Sequence, residues 1–179
     1  MKGRGGFTLI EILVVIAIIV IVAAIGFSMD GWENRTAAES QVKQVYADLM
    51  NARETAITQK RWVFVIFAAN NGIYGYKIYL DTFPAPDGNG AYDSATPPNG
   101  DAPDGPNWTL NGAVAMYVNG AQNPFTLSIS PDGSLGPAAG TLYMKSATPP
   151  QLNCIDWTAT DISLGGWSGA FPGGSCVSN

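Results

Sequence analysis

The chain has 179 residues, 46% hydrophobic and 13% charged, with 9 Lys+Arg against 14 Asp+Glu and no His. The lack of His removes Ser-His-Asp and Cys-His catalysis and all His metal sites, and two Cys are too few for a four-ligand zinc centre. A net charge of −5 disfavours non-specific coating of nucleic acid, and the apolar content argues for one folded domain with accessory segments.

Lys2 and Arg4 precede an apolar run, Phe7 to Met29, of 23 residues whose only charge is Glu11. As a helix this run reaches roughly 34 Å, enough to cross a bilayer. A lone segment in lipid can satisfy its backbone only as a helix. The basic flank, set against Asp30 and Glu33, predicts a cytoplasmic N-terminus and an exported head. A cleaved secretory signal is the plainer alternative. Against it, Gly5-Gly6 separates the charges from the apolar run, and no small-x-small cleavage break follows Ala24. An ionisable group at mid-membrane costs about 2.5–3.5 kcal/mol. Glu11 is therefore either interfacial, favoured by the helix dipole, or in need of a cationic partner from another chain.

Gly26 and Gly31 weaken the helix beyond the run, each by about 1 kcal/mol relative to Ala. They mark a bend or local melting. Residues 35–60 then show helical periodicity. Val42, Val45, Leu49, Ala52 and Ala56 form one apolar stripe, flanked by Tyr46, Met50 and Ile57. Arg35, Lys43, Arg53, Lys60 and Arg61 interleave with Glu33, Glu39, Asp48 and Glu54 as a solvated face.

Strand signals follow at 62–67, 73–79, 113–118, 125–130 and 141–145, with turns at 70–72 and 131–134. Residues 81–107 lack periodicity and predict a long exposed loop. Within it Asp87, Asn89 and Asp93 are candidate calcium ligands, without EF-hand spacing or a terminal Glu; the competing reading is a solvated turn. The aromatics Trp62, Tyr74, Tyr76, Tyr79, Trp108, Trp157 and Trp167 admit a carbohydrate-binding or single-strand-binding reading, but those in strands read as core, whereas Trp157 and Trp167 suggest a contact patch. From Asp81 onward there are eight acidic residues and one basic residue, Lys145, which disfavours an anionic partner. Asp101 and Asp104 sit among turn residues, where Asp is expected without any acid-base role. The tail after Pro149 carries Gly165, Gly166, Gly169, Gly173 and Gly174 and predicts little intrinsic order. Cys154 and Cys176, in an oxidising compartment, predict a disulfide worth about 3 kcal/mol, with two free buried thiols as the alternative. No C-x-x-C redox motif is present.

The segment Gly5-Gly6-Phe7-Thr8-Leu9-Ile10-Glu11, behind a basic leader and ahead of the apolar run, resembles the class III signal of type IV pilins and type II secretion pseudopilins. The resemblance implies a leader at 1–6, cleavage by prepilin peptidase between Gly6 and Phe7, and N-methylation of Phe7. It further implies that Glu11 pairs with the terminal amine of a neighbouring subunit during assembly. A buried carboxylate and a buried amine are tolerable only as a pair, which favours one axial register between subunits. Cleavage would leave 7 basic and 14 acidic side chains, a side-chain charge of −7.

Ala52-Arg53-Glu54-Thr55-Ala56 on the second helix, leading into a hydrophobic strand, resembles the GspH/FimT family of minor pseudopilins and minor pilins. So does the strand-turn-strand from Phe125 through Asp132-Gly133 to Tyr143. The implied fold is α+β and pilin-like: a long N-terminal helix, transmembrane in its first half (7–29) and amphipathic in its second (about 35–60), packed on an antiparallel β-sheet head within 30–179. The implied function is non-enzymatic. The chain would be a minor pseudopilin of a type II secretion system, anchored in the bacterial inner membrane with a periplasmic head and assembled into a periplasmic filament. Its partners would be other pseudopilins, prepilin peptidase and the inner-membrane assembly platform, with no cofactor unless calcium binds the loop. The alternatives are a minor pilin of an extracellular type IV pilus, serving initiation, adhesion or motility, and a membrane-tethered binding module. Some FimT-type pilins bind DNA through an arginine-bearing C-terminal motif; this chain has no Arg after Arg61, so nucleic acid is not an expected partner.

Overall fold

The structure, a computed structural model, describes residues 8–26, 30–70, 73–84, 88–95, 100–105, 108–110, 114–120, 124–147 and 149–178. Helix α1 runs Leu9–Gly26 and helix α2 runs Asp30–Gln59. The Thr8 carbonyl opens α1, accepting from the backbone N–H of Glu11 at 3.1 Å and Ile12 at 3.3 Å. The side chains of 8–23 are exposed on every face of α1. Among the described residues no helix is long and apolar enough to cross a membrane. The 18 described residues of α1 reach about 27 Å, short of a hydrocarbon core, and the remaining ends of the expected span, Phe7 and 27–29, lie outside the described residues.

Helix α2 begins earlier than its periodicity predicts and contains Gly31, which is helical and not melted; α1 is described as far as Gly26, and 27–29 lie outside the described residues. The stripe buries Val42, Val45, Leu49, Ala52 and Ala56 as expected and extends to Ala38, while Met50 and Ile57 stay on its exposed flank. Lys60 ends α2 in the left-handed region at φ 57°. The Arg61 N–H then reaches back to the Ala56 carbonyl at 3.3 Å, closing the last turn in a Schellman arrangement.

Two antiparallel sheets receive that stripe. The first contains β1 (Val63–Asn70), β2 (Ile73–Leu80), β3 (Ala102–Pro103), β4 (Trp108–Thr109), β6 (Phe125–Ile129) and β7 (Leu135–Gly136), in the order β3-β2-β1-β6-β7 with β4 also on β2. The second contains β5 (Ala115–Val118), β8 (Ala139–Lys145), β9 (Cys154–Thr158), β10 (Ile162–Ser168) and β11 (Ser175–Ser178), in the order β11-β10-β9-β8-β5. Strand alternation puts Val63, Val65 and Phe67 into the core with Leu127 and Ile129. From the second sheet Met116, Val118, Leu142, Met144, Ile155, Trp157 and Ile162 join the same core. A Leu135 N–H to Ala159 carbonyl bond of 2.8 Å ties the edge of the first sheet to the β9–β10 turn of the second.

Three expectations need correction. The tail after Pro149 is not weakly ordered but supplies β9, β10 and β11. The 81–107 segment is not wholly an exposed loop: it contributes β3, Asp81 and Asp101 are both 1% exposed, and β4 follows at its end. Trp157 is no surface patch. It is a core residue, 2% exposed, whose Nε1 donates to the Pro137 carbonyl at 3.2 Å.

Candidate functional site

Glu11 sits in the first turn of α1, where a carboxylate complements the positive end of the helix dipole. With Ile12, Val15 and Ile16 it lines one shallow apolar depression on an exposed surface. Among the described residues no basic side chain comes within ion-pair distance of it; Lys43 pairs with Glu39 on α2, at 2.7 Å. Gly6 and Phe7, the residues of the expected cleavage and methylation, lie outside the described residues.

The head residues behind the family resemblance form a mechanical link. Arg53 Nη2 donates to the Thr160 carbonyl at 2.7 Å, tying α2 to the β9–β10 turn. The turn after β6 closes against the same stretch of helix. Gly133, at φ 84°, packs where a Cβ would come within 2.7 Å of Ile57 and 3.3 Å of Arg53. Asp132 organises that turn, accepting from the Ser130 hydroxyl, from the Ser134 N–H at 3.0 Å and from the Ser134 hydroxyl at 2.6 Å. These bonds to its charged form hold the Asp132 carboxyl well below the usual aspartate range. Nearer the middle of α2, Asp48 accepts from the Tyr76 hydroxyl at 2.5 Å. Burial first, then this hydrogen bond and the Asp48 charge, raise the Tyr76 hydroxyl far above its ordinary value.

Two buried carboxylates, which the sequence offers no clear reason to single out, fasten the long loop. Asp81 accepts from the N–H of Asn89 at 3.2 Å and of Gly90 at 2.6 Å. Asp101 accepts from the N–H of Thr82 at 3.1 Å, Phe83 at 3.3 Å and Asp93 at 2.9 Å. Burial raises the Asp81 carboxyl and the neighbouring Asp101 and Asp93 charges add to it, while the Gly90 and Asn89 N–H groups pull the other way. Of the calcium candidates, Asp87 lies outside the described residues, and Asn89 Nδ2 donates to Asp93 Oδ2 at 2.9 Å. Among the described residues no group of three or more His, Cys, Asp or Glu is placed to hold a metal ion.

Cys154 and Cys176 are joined by a disulfide with Cα atoms 5.8 Å apart, linking β9 to β11 across β10. Trp167 lies on that sheet's outer face in an aromatic cluster, 4.6 Å from Tyr143 and 5.7 Å from Phe171 between ring centroids. The head thus has three fastenings: Arg53 on Thr160, the paired aspartates on the loop, and the disulfide on the tail.

Two family models match the chain. Residues 1–27 match the prokaryotic N-terminal methylation motif, and residues 41–161 match the type II transport protein GspH. No curated protein and no solved structure matches.

Proposed function

Since the chain belongs to the type II transport protein GspH family, we propose that it is a minor pseudopilin assembled into, or priming, a periplasmic pseudopilus that drives protein export. The family implies processing by prepilin peptidase and assembly with other pilin-like subunits. The observation that carries the reading is the order of the two family matches on one chain: a methylation signal at 1–27 leads directly into a GspH head at 41–161. The exposed apolar surface of α1 supports it, because a helix apolar on all sides needs lipid or other helices around it. The proposal places the head in the periplasm, the N-terminus in the cytoplasm and the unprocessed chain in the inner membrane. It assigns no catalysis and no cofactor. Mature subunits would enter the filament when Glu11 pairs with the methylated amine of Phe7 on a neighbour.

The test is a Glu11→Ala variant expressed in a host with an intact secretion system. Membrane insertion and processing should persist, while recovery of the variant in sheared or cross-linked filaments should fall at least tenfold relative to the unsubstituted chain. Undiminished incorporation contradicts the pairing role. Recovery in extracellular pili that depend on a retraction ATPase, with no dependence on a secretin and secretion ATPase, assigns the chain to a type IV pilus instead.

A further inference from the structure

Between α2 and the edge of the first sheet lies a hollow of about 250 Å³. Asp48, Asn51 and Thr55 line it from the helix, Ile78 from β2, Asp104 from the end of the long loop and Trp108 from β4. The β2–β4 register explains the indole wall. Trp108 stands opposite Tyr76 and so shares its face of the sheet, the face turned to α2. Gly75 allows this approach, since a Cβ there would strike the Trp108 carbonyl oxygen. The Trp108 side of the hollow stays open to solvent: this residue is 38% exposed, whereas Trp157 is buried in the core.

The walls are pre-organised. The Asp104 N–H donates to the Ile78 carbonyl at 2.9 Å and the Leu110 N–H to the Tyr74 carbonyl at 2.7 Å, so the segment bearing Asp104 and Trp108 is pinned on β2 at both ends. A site fixed in this way loses little conformational entropy when it is filled. Asp48 is held by the Tyr76 hydroxyl at 2.5 Å and by Gln44 Nε2 at 2.9 Å, one donor on each carboxylate oxygen. Each of those oxygens keeps a further lone pair. Asp104 is half-buried, and its side chain has no hydrogen-bond or ion-pair partner among the described residues. No Lys or Arg lines the hollow among the described residues. From Trp62 onward the chain has eight acidic residues against Lys77 and Lys145. A second hollow, of about 290 Å³, adjoins Trp108 on the side of Gln41 and Gln44. Gln41 Oε1 is buried without a hydrogen-bond partner among the described residues, an acceptor suited to a backbone N–H of the same ligand.

We infer that this hollow receives an arginine side chain from a partner protein, with its guanidinium between Asp48 and Asp104 and its flat face on the Trp108 indole. The planar fork of arginine pairs with carboxylates and stacks on an aromatic face at once, which a lysine ammonium does not. A divalent cation fits less of the lining. It wants six or more oxygens and leaves the indole unused, and among the described residues no group of three or more His, Cys, Asp or Glu is placed to hold it. An apolar side chain would bury both carboxylates without a cation. The acidic surroundings favour approach of a basic segment and disfavour an acidic one. The site lies wholly in the head, so its occupancy is independent of Glu11 and of processing at Gly6.

The experiment titrates the full chain in detergent micelles with three capped tripeptides, Gly-Arg-Gly, Gly-citrulline-Gly and Gly-Leu-Gly. Nuclear magnetic resonance follows the Trp108 indole N–H, assigned by its loss in Trp108→Phe. The arginine peptide should shift that signal saturably, and its affinity should fall in high salt. The citrulline peptide, of the same shape without the charge, should bind at least tenfold more weakly. Asp104→Asn should cost about tenfold in affinity for the arginine peptide with an unchanged circular dichroism spectrum, since that side chain holds nothing else in place. Trp108→Leu, read by calorimetry, should cost about threefold. Absence of a saturable shift with the arginine peptide overturns the inference. So does equal binding of the citrulline or leucine peptide, or unchanged affinity in folded Asp104→Asn.

Discussion

The two helices solve the same problem in opposite ways. Helix α1 is apolar around its whole circumference, apart from Glu11, and leaves that surface uncovered. Helix α2 gathers an apolar stripe from Ala38 to Ala56 and buries it against two sheets, with Met50 and Ile57 left on its exposed flank. A stripe can be satisfied within one chain. A helix apolar on every side requires an environment that the described residues do not supply, and the proposed function assigns that environment to lipid and then to neighbouring subunits. The head is self-sufficient in its core, whereas α1 is the part that the proposal commits to partners.

The sharpest way to break this contrast is to truncate one large side chain on each side of it. Trp157→Ala should lower head stability by about 3–5 kcal/mol, because it empties core volume next to Gly140 and Phe125. Ile16→Ala on α1 should change head stability by less than about 0.5 kcal/mol. Urea unfolding followed by near-ultraviolet circular dichroism measures both, and equal shifts would erase the distinction. Next in size is the disulfide. Replacing Cys154 and Cys176 together with Ala should cost about 3 kcal/mol, read as a lower melting temperature of the head with the helix content of α1 unchanged. A smaller effect of opposite sign is expected at the end of α2. Lys60→Gly should stabilise by about 1 kcal/mol, since Lys60 occupies φ 57°, where a Cβ is unfavourable; a loss of stability would mean that the Lys60 side chain is needed for other contacts.

The pH dependence separates the turn from the loop by sign. Asp132 titrates lower in the folded head than the ordinary aspartate value of 3.8, so its contribution is present above that pH and is lost as pH falls through its folded value. The difference in melting temperature between the unsubstituted chain and Asp132→Asn should therefore close below pH 3.8. Asp81 is raised, so its contribution is fully present below 3.8 and is lost as pH rises through its folded value. Melting curves of Asp81→Asn should thus diverge from the unsubstituted chain in the opposite direction over that rise. The same sign for both aspartates would contradict burial as the dominant influence on Asp81, and would mean that the Asn89 and Gly90 N–H groups outweigh it.

Long periodic segments were legible from the amino-acid order. The apolar run, the Val42-to-Ala56 stripe and the β1–β2 hairpin each repeat their pattern often enough to outweigh local noise. The strands β3, β4 and β7 are two-residue pairings set by what lies beside them, so no periodicity exists to read. The tail misled for a physical reason. Gly165 suggests weak order in isolation, yet a Cβ there would come within 2.2 Å of the Val177 carbonyl oxygen, so the glycine lets β11 close on β10. Asp81 and Asp101 carry the composition of turn residues, and only the folded loop shows them buried as anchors. At the candidate site, the motif around Gly6, Phe7 and Glu11 was readable because it combines charge, glycine, an aromatic and an apolar run, whereas the hollow beside Trp108 depends on contacts from a segment without periodicity.

The central claim is that α1 begins life as a processed, methylated terminus destined for the company of its neighbours. Intact-mass and N-terminal peptide spectrometry of the chain, purified from cells with an active prepilin peptidase, tests it most directly. The account predicts a polypeptide starting at Phe7 with one added methyl group; a chain that retains Met1 through Gly6, or that starts beyond Ala24, would contradict it.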